Sequence, residues 1–181
     1  MSSSPSAASL PESPYAWSRL VAAVVVGTIA CVGNWSIVVA LPVVQQEFGV
    51  ARAGASLPYT IGMIGFGIGG VLMGRIADRY NAVLPIVIGG LSLCAGYLAA
   101  AASANLWQFT LSHALLGLGA SAGFAPLMAD MSHWFTKRRG LAVVIAACGS
   151  YLAGAIWPLA IQHFMDLNGW RWTHAALGIF A

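Results

Sequence analysis

The chain has 181 residues, of which 59% are hydrophobic and 7% charged; eight basic and five acidic residues give a formal net charge of +3. Against a soluble average of about 25% charged residues, this composition excludes a water-soluble globular domain. The small basic excess comes with no base-reading or stacking face, so it gives no support to a nucleic-acid partner.

In chain order, residues 1–17 are rich in Ser, Pro and Ala with one acidic residue, Glu12, and read as a disordered cytoplasmic tail. Residues 18–181 read as an all-α polytopic transmembrane bundle. Five charge-free apolar runs follow one another: Leu20–Leu41, Ala53–Met73, Ala82–Ala102, Leu106–Met128 and Leu141–Ile161. About 20 residues rising ~1.5 Å each cross a bilayer core of ~30 Å, so every run is long enough to span. The first run is too long for a secretory signal, lacks a small-residue cleavage pattern and precedes four more spans, so it is retained. A sixth run opens at Thr173 and reaches only Ala181, which is the expectation for a span cut short and a chain that is a fragment. Short connections such as Ser103–Asn105 make neighbouring helices antiparallel.

Lys and Arg concentrate on the cytoplasmic side of short loops. With the N-terminus inside, Arg19, Arg75, Arg79, Lys137, Arg138 and Arg139 are cytoplasmic and only Arg52 and Arg171 lie outside. Anionic lipid of the bilayer is partner enough for this charge, and the expected location is the plasma (inner) membrane. Glycine and serine at four-residue spacing, in Gly65–Gly69, Gly70–Gly74, Gly117–Ser121, Gly119–Gly123 and Ser150–Gly154, let helix backbones approach closely. Cys31, Cys94 and Cys148 fall within spans without metal-ligand spacing, so they read as packing residues and no metal or cofactor is expected. Glu47, Asp78, Asp130 and Asp166 sit in loops or at span ends, which leaves no catalytic constellation at a common depth and argues against an enzyme. No phosphate-binding loop is present.

Two loop motifs carry a family resemblance. Gly74-Arg75-Ile76-Ala77-Asp78-Arg79, directly after the second run, resembles the cytoplasmic loop motif of the major facilitator superfamily, with Asn81 in place of the motif's glycine and Ala82-Val83 in place of its basic pair. In that family the motif acts as a gating latch, a role the resemblance implies for Gly74, Arg75, Asp78 and Arg79. The segment Trp134-Phe135-Thr136-Lys137-Arg138-Arg139-Gly140-Leu141-Ala142, followed by Gly149-Ser150 and Gly154, is similar to the fifth-span signature of the monocarboxylate porters and oxalate/formate antiporters. Val144 stands where that signature often has glycine. Further similarity lies in Glu47-Phe48-Gly49-Val50 and Gly169-Trp170-Arg171; the likeness runs from Gly27 to Arg171.

The resemblance implies the first six-helix bundle of a major facilitator fold. It implies alternating access about a midplane site, a second six-helix bundle as missing partner, and a small organic anion as substrate, with or without a coupled proton. Candidate pathway residues are the polar or aromatic ones within the spans: Asn34, Trp35, His113, Tyr151 and Trp157. Gly27, Cys31, Asn34 and Val38 fall on one helical face, and polar side chains in hydrocarbon seek the bundle interior. Four candidates have a plainer alternative, an interhelical hydrogen bond for Asn34, packing for Trp35 and Trp157, and a satisfied bystander for His113, which leaves Tyr151 as the foremost candidate for a substrate contact. No complete span holds a cation for a carboxylate. Proton symport, uniport and anion exchange stay open, and a six-span homodimeric half-transporter or regulatory subunit is the rival reading.

Overall fold

The computed structural model describes residues 12–180, and these form helices joined by short turns, with no strand among them. Residues 1–11 of the expected tail lie outside the described residues. The first helix, α1 (Pro14–Ala30), starts inside the stretch read as tail. Ser13 Oγ accepts from the amide of Ala16 and Pro14 occupies the first turn, a local start signal that composition masked.

Two spans are broken. The first consists of α1 and α2 (Val32–Glu47), interrupted at Cys31; a one-turn α3 (Arg52–Ala55) leads into α4 (Leu57–Arg79), the second span. The third is α5 (Val83–Ala101). The fourth comprises α6 (Leu106–Ser121) and α7 (Ala125–Trp134), separated by a turn at 122–124. The fifth is α8 (Arg139–Asn168), and α9 (Trp170–Phe180) turns back from it at Gly169, whose φ of 81° is a left-handed conformation open to glycine. Five stretches, Pro14–Glu47, Arg52–Arg79, Val83–Ala101, Leu106–Trp134 and Arg139–Asn168, are long and apolar enough to cross a membrane; each overlaps one expected run, the third one residue shorter at either end and the others extended. The break at Cys31 resets the helical phase, so the single face expected for Gly27, Cys31, Asn34 and Val38 is divided. Gly27 packs beside Gly123 and Gly149, whereas Val38 is exposed.

Small residues set the packing. A Cβ on Gly117 would fall on the carbonyl oxygen of Gly62, one on Gly119 would lie 2.7 Å from Gly89 O, and one on Gly149 would lie 2.7 Å from Val24 O. The fourth span is thereby pressed against the second and third, and the fifth against the first, with backbones in near contact. Gly70 and Gly74 behave differently from the expectation for a close-packed pair. A Cβ on either meets nothing within 4 Å, because both look away from the fourth span.

Candidate functional site

The breaks in the first and fourth spans open onto a shared pocket. Cys31, Asn34 and Trp35 come from the first span, Tyr59, Met63 and Phe66 from α4, Phe124 from the turn in the fourth span, and Ser150 and Tyr151 from α8. The pocket measures about 280 Å³ and is open on one side, where Tyr151 is 75% exposed. Four aromatic rings besides Trp35 line it, and no charged side chain does. Its polar groups are the Asn34 amide, the Ser150 and tyrosine hydroxyls and the Cys31 thiol. Trp35 is held as a wall: its indole N–H donates to the Ser150 carbonyl at 3.3 Å and its ring fills the space left by Gly154.

Asn34, Trp35 and Tyr151 thus meet in one pocket, with Ser150 beside Tyr151 on its α8 wall, while Gly149 packs against Val24 and Gly27 of α1. Trp157 stands outside it, in an apolar hollow of about 250 Å³ between α8 and α9 with Phe164, Trp172 and Phe180. Its indole N–H donates to the Thr28 carbonyl at 2.7 Å, one of the carbonyls at the end of α1 that the break deprives of helical partners. His113 is 1% exposed and lies against Phe109, ring centroids 4.4 Å apart, with Nδ1 2.7 Å from the Phe109 carbonyl. Tyr59, Met63, Phe66 and Phe124 are pocket residues that reading the sequence missed, and so is Cys31, which read as a packing residue. The first three fall at i, i+4 and i+7 on α4, a spacing that puts one bulky side chain per turn on the same face.

The two ends of the bundle are chemically distinct. Arg19, Arg75, Arg79 and the triplet Lys137, Arg138 and Arg139 gather at one end, called here the basic end. There Asp78 faces a hollow that it shares with Pro126, Asp130 and His133. Asn81, in the glycine's place, accepts from the amides of Val83 and Leu84 at 3.0 and 2.9 Å and so starts α5. Asp130 pairs with Arg19 at 2.7 Å; among the described residues Asp78 has no ion pair.

At the opposite end Arg171 joins three spans. It donates to the carbonyls of Ala101 (3.0 Å) and Ser103 (2.6 Å) at the end of α5, pairs with Glu47 at 2.6 Å and lies over the Trp170 ring, 4.4 Å from its centroid. The Trp170 indole donates to the other Glu47 oxygen. Glu47 lies beyond the apolar run that ends at Leu41. Burial pushes its carboxyl up, but hydrogen bonds from Arg171 and Trp170 and the guanidinium charge outweigh this and hold it below the ordinary carboxylate value.

A bundle of membrane-length helices, two of them broken around an open, uncharged pocket, defines a polytopic integral membrane protein of the transporter type. Residues 23–181 match the profile of the Major Facilitator Superfamily, and the chain belongs to that superfamily, one of transporters and not of enzymes. Among similar curated proteins, an MFS-type transporter of Penicillium oxalicum is 35% identical over 101 residues, 55% of this chain and 24% of the relative. A fujikurins efflux protein of Gibberella fujikuroi is 37% identical over 110 residues, 60% of this chain and 23% of the relative. An agnestins efflux protein of Paecilomyces divaricatus is 35% identical over 103 residues, 56% and 24% respectively. The matched stretch spans about a quarter of each relative's length. These relatives do not single out the monocarboxylate or oxalate/formate families.

Proposed function

We propose that this chain forms one wall of the substrate pathway of a secondary transporter that works by alternating access, with its N-terminus cytoplasmic in the plasma membrane and a second six-helix bundle facing the open side of the pocket. The observation that carries this reading is the position of the pocket at the breaks of the first and fourth spans. Unwound backbone in a membrane is tolerated where it is buried in protein or lines a cavity, and binding sites of such carriers form at discontinuous helices. Aromatic walls with a few hydroxyl and amide groups suit an amphipathic organic molecule with a ring or long apolar body. Two relatives bear the name of efflux proteins, which favours export as the direction.

A second reading, a small monocarboxylate-like anion with or without a coupled proton, is favoured by the signature around Trp134–Arg139 and Gly149-Ser150. It requires a cation from the facing bundle, since this wall provides none. The two readings separate in proteoliposomes containing this chain together with the facing bundle. Export of amphipathic aromatic acids that is not inhibited by lactate, formate or oxalate supports the first, whereas saturable counterflow of those small anions supports the second. Saturable transport by the 181-residue chain alone would replace both with a homodimeric half-transporter.

A further inference from the structure

Glu12 is the one non-glycine residue with positive φ among the described residues, at 60°, a conformation that side chains with a Cβ adopt rarely and that persists where surroundings over-determine it. Here the surroundings are the Trp134–Arg139 loop. The Glu12 amide donates to the Trp134 carbonyl at 3.0 Å, and its Oε1 accepts from the amide of Arg138, the residue preceding α8, at 2.7 Å. A carboxylate at a helix N-terminus satisfies a free amide and favours the helix dipole. The next turn continues the contact: Tyr15 meets Trp134 edge-on at 5.4 Å and Trp17 meets Phe135 edge-on at 5.1 Å. Arg19 lies 4.9 Å over Trp134 while pairing with Asp130. The aromatic pair of the loop is thus a docking surface for the chain's own residues 12–19.

We propose that Glu12 is a positioning residue of the transporter, latching the start of α1 onto the first residues of α8 and so fixing the register of the first span against the fifth. This rests on reading the pocket between those spans as the substrate pathway. The two spans run parallel from the basic end, and their contact is made largely of small residues, Ala16, Ala23 and Gly27 on one side and Ala142, Ala146 and Gly149 on the other, with Gly27 and Gly149 face to face. Such a contact is close but smooth, and resists sliding less than interlocked side chains do. Its register is pinned midway by the bonds of Thr28 and Trp35 to the carbonyls of Gly149 and Ser150. Glu12 adds a pin at the end where α8 begins, so that Trp35 and Tyr151 stay at matching depths while the bundle rocks.

Pulsed spin-label distances on the full 181-residue chain in lipid nanodiscs test this, in a background with Cys31, Cys94 and Cys148 replaced by alanine. One label pair at the exposed positions Ser18 and Thr136 crosses the junction; a second, at the exposed Ala51 and Ala104, reports the opposite end. Glu12→Gly keeps a residue at ease with the left-handed backbone and removes only the carboxylate. The expected result is at least a twofold broadening of the Ser18–Thr136 distribution, an intermediate broadening in Glu12→Gln and an unchanged Ala51–Ala104 distribution. A Ser18–Thr136 distribution as narrow in Glu12→Gly as in the parent overturns the latch, and so does broadening of both pairs alike, which marks general loosening. Since no transport is read, a failed latch is distinguishable from a failed pocket assignment.

Discussion

Gly117 and Gly70 lie on neighbouring helices and meet opposite surroundings, which makes them a matched pair. A methyl on Gly117 collides with the backbone of Gly62, an atom that cannot rotate away, so Gly117→Ala forces the second and fourth spans apart. Overpacking of this kind destabilises by about 1–3 kcal/mol. Gly70→Ala meets open space and replaces a flexible residue in a helix, which is neutral or gains about 0.5–1 kcal/mol. Thermal melting of the two variants in detergent should therefore move in opposite directions, or down for Gly117 alone. The two tryptophans divide differently. Trp157→Phe removes the donor to the Thr28 carbonyl and lowers stability by about 0.5–1.5 kcal/mol, leaving substrate affinity in place. Trp35→Phe alters a pocket wall and should weaken substrate binding, read as a raised KM for transport by the whole protein, with a comparable change in melting temperature. Sequence placed both tryptophans in the pathway because both are aromatic and lie in spans. The face that Trp35 occupies is set by the break at Cys31, and Trp157, on the unbroken α8, is turned to the Thr28 carbonyl that the same break leaves free.

The apolar runs were legible at the level of elements because charge exclusion over ~20 residues has one physical cause, the bilayer. Their interruptions were legible unequally. Leu20–Leu41 reads as continuous because Cys31 is as apolar as its neighbours and Pro42 lies well beyond the break, whereas Pro126, in the first turn of α7, cannot bond to the carbonyl of Ala122 and marks the break in Leu106–Met128, a signal that the charge-free pattern of the run hid. What makes the breaks tolerable is tertiary: the Trp157 indole takes a carbonyl at the first break, and aromatic walls shield both. The start of α1 was missed for the reverse reason, a two-residue cap signal at Ser13-Pro14 embedded in a disorder-like composition. The Glu47–Trp170–Arg171 clamp gives the element scale a pH prediction. Its carboxyl is held below the ordinary value of 4.5, so its contribution to stability is present above that value and is lost as pH falls through the lowered folded-state value. Both partners are over a third exposed, and solvent screening keeps the effect small. Melting temperatures of the parent and Glu47→Gln should differ at pH 6 and converge as acid approaches that lowered value; a constant gap would mean that the Trp170 and Arg171 contacts survive protonation.

At the scale of the whole molecule, the structure turns a charge count into a surface. The basic residues counted as cytoplasmic lie at one end of the bundle, where Arg19 pairs with Asp130 and Glu12 holds the Arg138 amide, whereas Arg171 is spent on helix ends at the other. A basic end of this kind is retained on the side where translocation starts, because Lys and Arg next to spans resist crossing. Orientation follows from it as a prediction about two exposed loop positions. With native cysteines removed, Ala104→Cys should react with a membrane-impermeant maleimide added to intact cells, and Thr136→Cys should react only after the membrane is permeabilised. Replacing Lys137, Arg138 and Arg139 together by glutamine removes half of the basic end, and the fraction of Thr136→Cys labelled from outside should then rise. Labelling of Thr136→Cys in intact cells carrying the unaltered triplet would place the basic end outside, and would reverse the direction in which the pocket opens relative to the cytoplasm.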